Sequence, residues 1–245
     1  MDIKTDPQLE THPYNSCPIP PDTKILIVGT APPPRFSLPR PPHHGPEKGW
    51  DADFFYGSGS NYLWVYLENA AGEPIFAEPG TLEAAVEDTE TLMRDFLRRH
   101  RIWMRDVLQT YRRKRGYESS SKDRHIDLES SDTTYADFSA VVKPGRNIKK
   151  VVFTSGDAAE WFFKKALAID CASDIAEKYC QIYVAAERAR KERVEVGQYT
   201  REFCKVEFDG NTIKFHVAPS PSGSAWGPDK KTCTEIYRTI LFAED

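Results

Sequence analysis

The stretch Asp53-Phe54-Phe55-Tyr56-Gly57-Ser58-Gly59-Ser60-Asn61 holds the residue types best suited to gripping a flat polar ring. Phe55 and Tyr56 offer faces for stacking, the glycines offer flexibility, and Asn61 offers a neutral carboxamide that both donates and accepts. A carboxamide is a poor base, but it can orient a water and stabilise a dipole that grows in a transition state. The competing role for Asn61 is structural, because an Asn directly before an amphipathic helix suits an N-cap. A second stretch, Pro219-Ser220-Pro221-Ser222-Gly223-Ser224, carries small polar residues that permit close approach to a backbone, with Trp226 just beyond.

These residues need a frame. Lys24-Ile25-Leu26-Ile27-Val28-Gly29 is an unbroken apolar run ending in glycine, the pattern of a strand buried on both faces of a parallel sheet. Thr30-Ala31-Pro32-Pro33-Pro34 then takes the chain away in a stiff, non-helical loop, and in open α/β sheets ligands bind just outside the carboxyl ends of strands. Arg101–Leu108 and Lys150–Gly156 predict further strands, and Phe203–Phe208 with Thr212–Val217 a hairpin around Asp209-Gly210-Asn211. Helices are predicted over Tyr62–Ala71, Thr81–His100, Tyr135–Val142, from Asp157 as cap through Trp161-Phe162-Phe163, and over about Lys231–Phe242. The proline-rich loop Pro32–Gly49, with His43 and His44, predicts no secondary structure, and residues 111–134 predict a polar segment. The order implies one α/β domain over 24–245, preceded by an arm over 1–23 and interrupted by a charged helical insertion about 172–200. All candidate loops should then lie at one edge of the sheet.

Composition narrows the function. A 40% hydrophobic, 29% charged chain with net charge −4 fits a globular protein with no global nucleic-acid signature, so an anionic partner would need a local basic patch. No apolar run approaches the roughly 20 residues that cross a bilayer, so no membrane association is expected. Five scattered cysteines without a C-x-x-C pair suggest reduced thiols, no metal centre, and an intracellular location in cytoplasm or nucleus. Arg112-Arg113-Lys114-Arg115 reads either as a phosphate-facing patch or as a solvated loop. His216, alternating with Phe215 and Val217, is expected to face outward, and Trp161-Phe162-Phe163 to be core.

Gly29-Thr30-Ala31-Pro32, then Tyr56-Gly57 with Asn61-Tyr62-Leu63-Trp64, then Pro219–Ser224 follow one another as the motifs of the uracil-DNA glycosylase superfamily do. The chain resembles that superfamily, most of all its deoxyinosine (hypoxanthine)-DNA glycosylase branch, with the mismatch-specific uracil glycosylases next. The resemblance runs from about Lys24 to Leu241 and is weak over Ser119–Thr134 and Ala172–Thr200. It implies a three-layer α/β/α sandwich around a central, mainly parallel four-stranded sheet. It also implies a monomeric, monofunctional hydrolase that excises a deaminated base from DNA without cofactor or metal. Most branches place an Asp or Asn two residues after the first-motif glycine to position the attacking water; here that position is Ala31. The deoxyinosine branch is also apolar there and uses an Asn matched by Asn61. Ala218 stands where uracil-specific branches have a histidine, and Arg105 lies near their uracil-reading asparagine.

By this resemblance Asn61 is catalytic, and Gly29, Thr30, Ala31, Pro32, Phe55, Tyr56 and Ser155 bind the base. Ser220, Pro221, Ser222, Gly223, Ser224 and Trp226 contact DNA, the serines at phosphate and Pro221 or Trp226 as a wedge. Extruding a base from the duplex costs a few kcal/mol and is easiest at a damaged pair. Ala31 and Ala218 keep a rival open, a superfamily member that has lost catalysis and binds nucleic acid or a nucleotide. A glycosidase acting on free nucleosides is the third reading.

Overall fold

The computed structural model describes residues 7–38, 51–76, 89–142, 145, 147–167, 204–208, 211–223 and 228–243. The apolar runs form the frame, with elements numbered in chain order. β2 (Ile25–Gly29) is flanked in parallel by β3 (Ile102–Asp106) and β7 (Lys150–Phe153), and β9 (Asn211–Val217) runs parallel beyond β7. Every residue of β2, β3 and β7 is buried, so these strands are covered on both faces, which is what an unbroken apolar run requires. Removing a side chain such as Leu26 or Phe153 from water contributes about 1.5–3 kcal/mol apiece.

Register settles where the loops emerge. Gly29 lies opposite Asp106 and Val28 opposite Phe153. The hydrogen bonds continue past the strands: Val107 N–H donates to the Gly29 carbonyl (2.8 Å), Thr154 to Val28 (2.9 Å) and Ala218 to Phe153 (2.8 Å). All four parallel strands therefore release their loops at one edge, as expected.

The sheet nonetheless differs from the predicted four strands. β8 (Cys204–Phe208) adds a fifth, antiparallel to β9, with Phe208 opposite Asn211. Because β9 is thus interior, Phe215 and His216 are both buried. The outward orientation expected for His216 is wrong, since alternation signals exposure only where one face of a sheet meets water.

A second, antiparallel sheet was not foreseen. β4 (Leu108–Arg113) pairs with β1 (Leu9–Thr11), β5 (Ile126–Asp127) and β6 (Thr134–Tyr135). Its inward positions are Leu108, Tyr111 and Arg113, and a buried arginine disguised the pattern. Arg113 pairs with Glu10 at 2.8 Å, both side chains 2% exposed, while Arg112 pairs with Asp132. Arg112 and Arg113 thus belong to the sheet, while Lys114 and Arg115 stand exposed in the loop beyond it, as the solvated-loop reading expects. The helix predicted from Tyr135 shrinks to α4 (Ser139–Val142) because Thr134 and Tyr135 belong to β6.

Proline at the first helical position lets one turn, α1 (Pro34–Ser37), form inside the loop predicted to be irregular. α2 (Leu63–Ala71) ends at Gly72 with φ 72°, as its sequence predicts. Its Tyr66 stacks on Tyr237 of α6 (Lys230–Leu241) at 5.5 Å. α3 (Thr89–Arg99) packs on β3. α5 (Gly156–Trp161) is capped by Ser155, whose Oγ accepts from Ala158 N at 3.0 Å; Asp157, predicted as the cap, is already in the first turn. A π-helical turn follows (Phe162–Ala166), and Trp161, Phe162 and Phe163 are core as expected. The insertion about 172–200, His43 and His44 lie outside the described residues. No helix among the described residues is long and apolar enough to cross a membrane.

Candidate active site

A cleft of about 1050 Å³ opens at the carboxyl edge of the parallel strands. Three loops far apart in sequence line it: Thr30–Pro32 after β2, Phe55–Asn61 before α2, and Ser220–Gly223 after β9. Small residues let these loops close on one another. A Cβ on Gly29 would lie 2.0 Å from the Tyr56 hydroxyl and 2.4 Å from Asp106 Oδ1, and one on Gly223 would lie 2.7 Å from the Ser60 carbonyl. Gly223 N–H donates to that carbonyl (2.9 Å), Tyr62 N–H donates to the Pro221 carbonyl (2.8 Å), and Asn61 forms an antiparallel bridge with Ser222.

Asn61 stands one residue before Tyr62, the N-cap of α2. Its Oδ1 accepts the Leu63 backbone N–H at 2.9 Å, a bond that braces the start of α2. A backbone N–H can donate only to the oxygen, so the amide orientation is fixed and its NH₂ is left over. That NH₂ has no partner among the described residues, and Asn61 lines the cleft. The residue can therefore donate into the cleft through its NH₂.

The first-motif loop is largely spoken for by the fold. The Gly29 and Thr30 carbonyls accept from Val107 and Leu108 N–H. The Pro32 carbonyl accepts from the Tyr111 hydroxyl (3.3 Å) and from Arg113 Nη2 (3.2 Å). The Ala31 N–H and carbonyl have no backbone partner among the described residues. Gly29 itself lies behind the cleft lining, against Tyr56 and Asp106. Phe55 lines the cleft but is 2% exposed, with its ring packed against His12 (5.3 Å) and Tyr14 (5.4 Å). Tyr56 takes a left-handed φ of 55°, unusual for a non-glycine residue. Its hydroxyl meets Thr154 Oγ1 (3.2 Å) and donates to Asp106 Oδ1 (3.4 Å). Burial, reinforced by the Asp106 charge, holds that phenol well above its ordinary pKa, so it stays a neutral donor. Ser155 borders the cleft, yet its hydroxyl is spent on capping α5. Ser220, Pro221, Ser222 and Gly223 all line it; Ser224 and Trp226 lie outside the described residues.

The sequence missed several groups. Asp106, at the end of β3, is 5% exposed and accepts from His12 Nε2 at 3.0 Å. His12 Nδ1 accepts the Tyr14 and Asn15 backbone N–H groups, both at 3.1 Å, so the ring proton sits on Nε2 and donates to Asp106. Asn15 completes the clamp: its Oδ1 accepts Asp106 N–H (3.0 Å), and its Nδ2 donates to the Asp106 (2.9 Å) and Leu108 (3.0 Å) carbonyls. Arg105 turns away from the cleft and donates to the Asp137 and Cys17 carbonyls. Strand alternation at the end of β3 was the available signal, since it puts Asp106, not Arg105, on the cleft side. Asp123 enters from a 3-10 turn (Asp123–His125) between β4 and β5 and accepts from Thr30 Oγ1 at 2.9 Å. Burial, with the charges of Asp157 and Asp106 adding to it, pushes its carboxyl up to about 7 against the pull of Thr30 and Arg113. Phe36, half-buried in α1, also borders the cleft. Nothing local in the sequence marked it.

No family model matches the chain, and no curated protein does. Among solved structures, the solution NMR structure of a candidate uracil DNA glycosylase from Methanosarcina acetivorans matches at 16% identity and a TM-score of 0.47. The match covers 96% of this chain and 97% of that one.

Proposed function

We propose that the protein is a monofunctional DNA glycosylase that hydrolyses the N-glycosidic bond of a deaminated base, hypoxanthine or uracil, within a three-layer α/β/α sandwich. The observation that carries this reading is the convergence of three loops on one cleft. They are the same three, in the same order, whose motifs resemble the superfamily. Breaking the bond develops positive charge on the sugar and negative charge on the leaving base. The free Asn61 NH₂ is a preorganised donor for a water or for the departing base. The carboxylates of Asp106 and Asp123 place negative charge where the sugar becomes cationic. Ala31 offers its backbone to the base edge, and Phe55 and Tyr56 give the ring an aromatic boundary. Ser220 and Ser222, on a loop clamped to Asn61, suit phosphate contacts. Asp106 and Asp123 favour this reading over that of a catalytically empty cleft, because ionisable groups line it from elements other than the motifs.

The test is incubation with duplex oligonucleotides carrying uracil, hypoxanthine or xanthine, followed by alkaline cleavage. A strand break at one lesion and none in undamaged DNA is expected; absence of a break with all three refutes the reading.

A further inference from the structure

A glycosidic hydrolysis in this cleft needs a group that takes a proton from water, and the position where most related motifs carry one is Ala31. Asn61 cannot serve, because a neutral carboxamide is too weak a base to take a proton from water, and its Oδ1 already accepts the Leu63 N–H. Both oxygens of Asp106 are already engaged, by His12 and by Tyr56. Asp157 is an exposed carboxylate in the first turn of α5. Asp123 remains. We propose that Asp123 is the general base that activates the attacking water, delivered to the first-motif loop from the β4–β5 hairpin in place of a residue on that loop. This assignment rests on the glycosylase reading of the cleft.

The geometry is specific. Asp123 borders the cleft with Ala31 and is tied through Oδ1 to the hydroxyl of Thr30, the residue before it, across 93 positions of sequence. Its second oxygen accepts no hydrogen bond among the described residues and is available to a water. The turn that carries it is rigid. Lys114 N–H donates to the His125 carbonyl at 2.7 Å, His125 N–H to the Lys122 carbonyl at 3.0 Å, and Lys114 Nζ to the Arg124 carbonyl at 2.9 Å. The electrostatics suit the task. An ordinary carboxylate, with a pKa near 4, is a weak base at neutral pH. Burial raises Asp123 to about 7, with Asp157 and Asp106 acting in the same direction and Thr30 and Arg113 opposing. A base poised near the working pH is the most effective. Lys122, Arg124 and His125, whose imidazole is held below its ordinary pKa by desolvation and then by the neighbouring cations, complete the titratable groups of its turn and its flank.

In the step itself, the water oxygen bonds to the sugar C1′ while one water proton moves to Asp123 Oδ2. The C1′–N bond breaks and its electron pair leaves on the base. The proton then passes through solvent to the departing base, which restores the carboxylate and leaves a free base and an abasic sugar.

Single-turnover excision by the full chain, from pH 5 to 9 on the lesion the wild type cleaves, tests this. The wild-type rate should rise about tenfold per pH unit below about 7 and level off above it. Asp123→Asn keeps the shape and the Thr30 contact; it should lose about 100-fold or more at pH 8 and lose the acidic limb. Retention of a rate within about threefold of wild type at pH 8 overturns the assignment. Thr30→Val decides the matter should Asp123→Asn fail to fold. Without the hydroxyl that favours the ionised form, the acidic limb should move to higher pH, and an unmoved limb overturns the proposal. A wild type that cleaves none of the lesions removes the glycosylase reading and this role together, whereas an active wild type with an equally active Asp123→Asn removes this role alone.

Discussion

Asn61 is where a structural bond and a proposed chemical role share one side chain, and they separate by atom: Oδ1 braces α2, and the NH₂ is left for the cleft it lines. Asn61→Ala should lower single-turnover excision about 100-fold while costing only about 1 kcal/mol in thermal melting. Asn61→Asp keeps the brace but replaces the donor with a fourth carboxylate in a cleft already lined by Asp106, Asp123 and Asp157, so it should melt close to wild type and still be slow. A wild-type rate in either variant would strip Asn61 of its chemical role. Asp123 makes a different, pH-dependent prediction. Its carboxyl ionises near pH 4 in the unfolded chain but near 7 in the fold, so its proton stabilises the fold at low pH, and that stability is lost as pH rises through 7. Asp123→Asn should therefore melt higher than wild type at pH 8, by on the order of 1–2 kcal/mol or roughly 3–6 °C, with the gap closing by pH 4. An equal gap at both pH values would contradict the raised pKa. Asn61 was legible because its glycines and aromatics are adjacent to it in the chain. Asp123 was not, because its partner Thr30 is 93 residues away and its own surroundings are those of any polar loop.

Among the elements, the buried parallel strands and the helices with one apolar face were legible, because burial on both faces or one stripe leaves a direct imprint on residue type. β4 was not. Its inward Arg113 is neutralised by Glu10, a residue that sequence offers no reason to pair with it. Glu10→Ala should cost about 3 kcal/mol or more, since it leaves a buried guanidinium without its counter-charge; a loss under about 1 kcal/mol in denaturant melts would show that Arg113 reaches water. The contact between the Ser220–Gly223 loop and Asn61 depends on an absent methyl group. Gly223→Ala puts a carbon 2.7 Å from the Ser60 carbonyl, so the loop must back away from the cleft. Excision should fall together with duplex affinity while the melting point moves little, and an unchanged excision rate would separate the loop from the chemistry.

At the scale of the whole molecule, a net charge of −4 must be overcome locally if the chain binds DNA. Arg35, beside the cleft, is already matched to Asp51, whereas Lys122 and Arg124 stand exposed on its border. Replacing both by Ala should weaken duplex binding and reduce the slope of log affinity against log salt by roughly 2, measured by anisotropy titration over a salt series. An unchanged slope would place the phosphates elsewhere. The parallel strands and their single edge were readable in advance, because three of the four announce their ends with Gly, Thr-Ser or Ala-Pro; β3 carries no such mark and runs on through Val107 into β4. The arm's part in the site was hidden, since short polar residues reveal nothing until the strand end that they bind is known. That arm has a consequence in time. His12 and Asn15 find their partners at Asp106 and Leu108, with His12 and Asp106 94 residues apart. While the chain is being made, the clamp must wait unsatisfied until some hundred later residues exist, and contacts of such long range are slow to close. The cleft is therefore among the last parts of the protein to become itself, and a refolding chain should regain its helices well before it regains any capacity to act on a substrate.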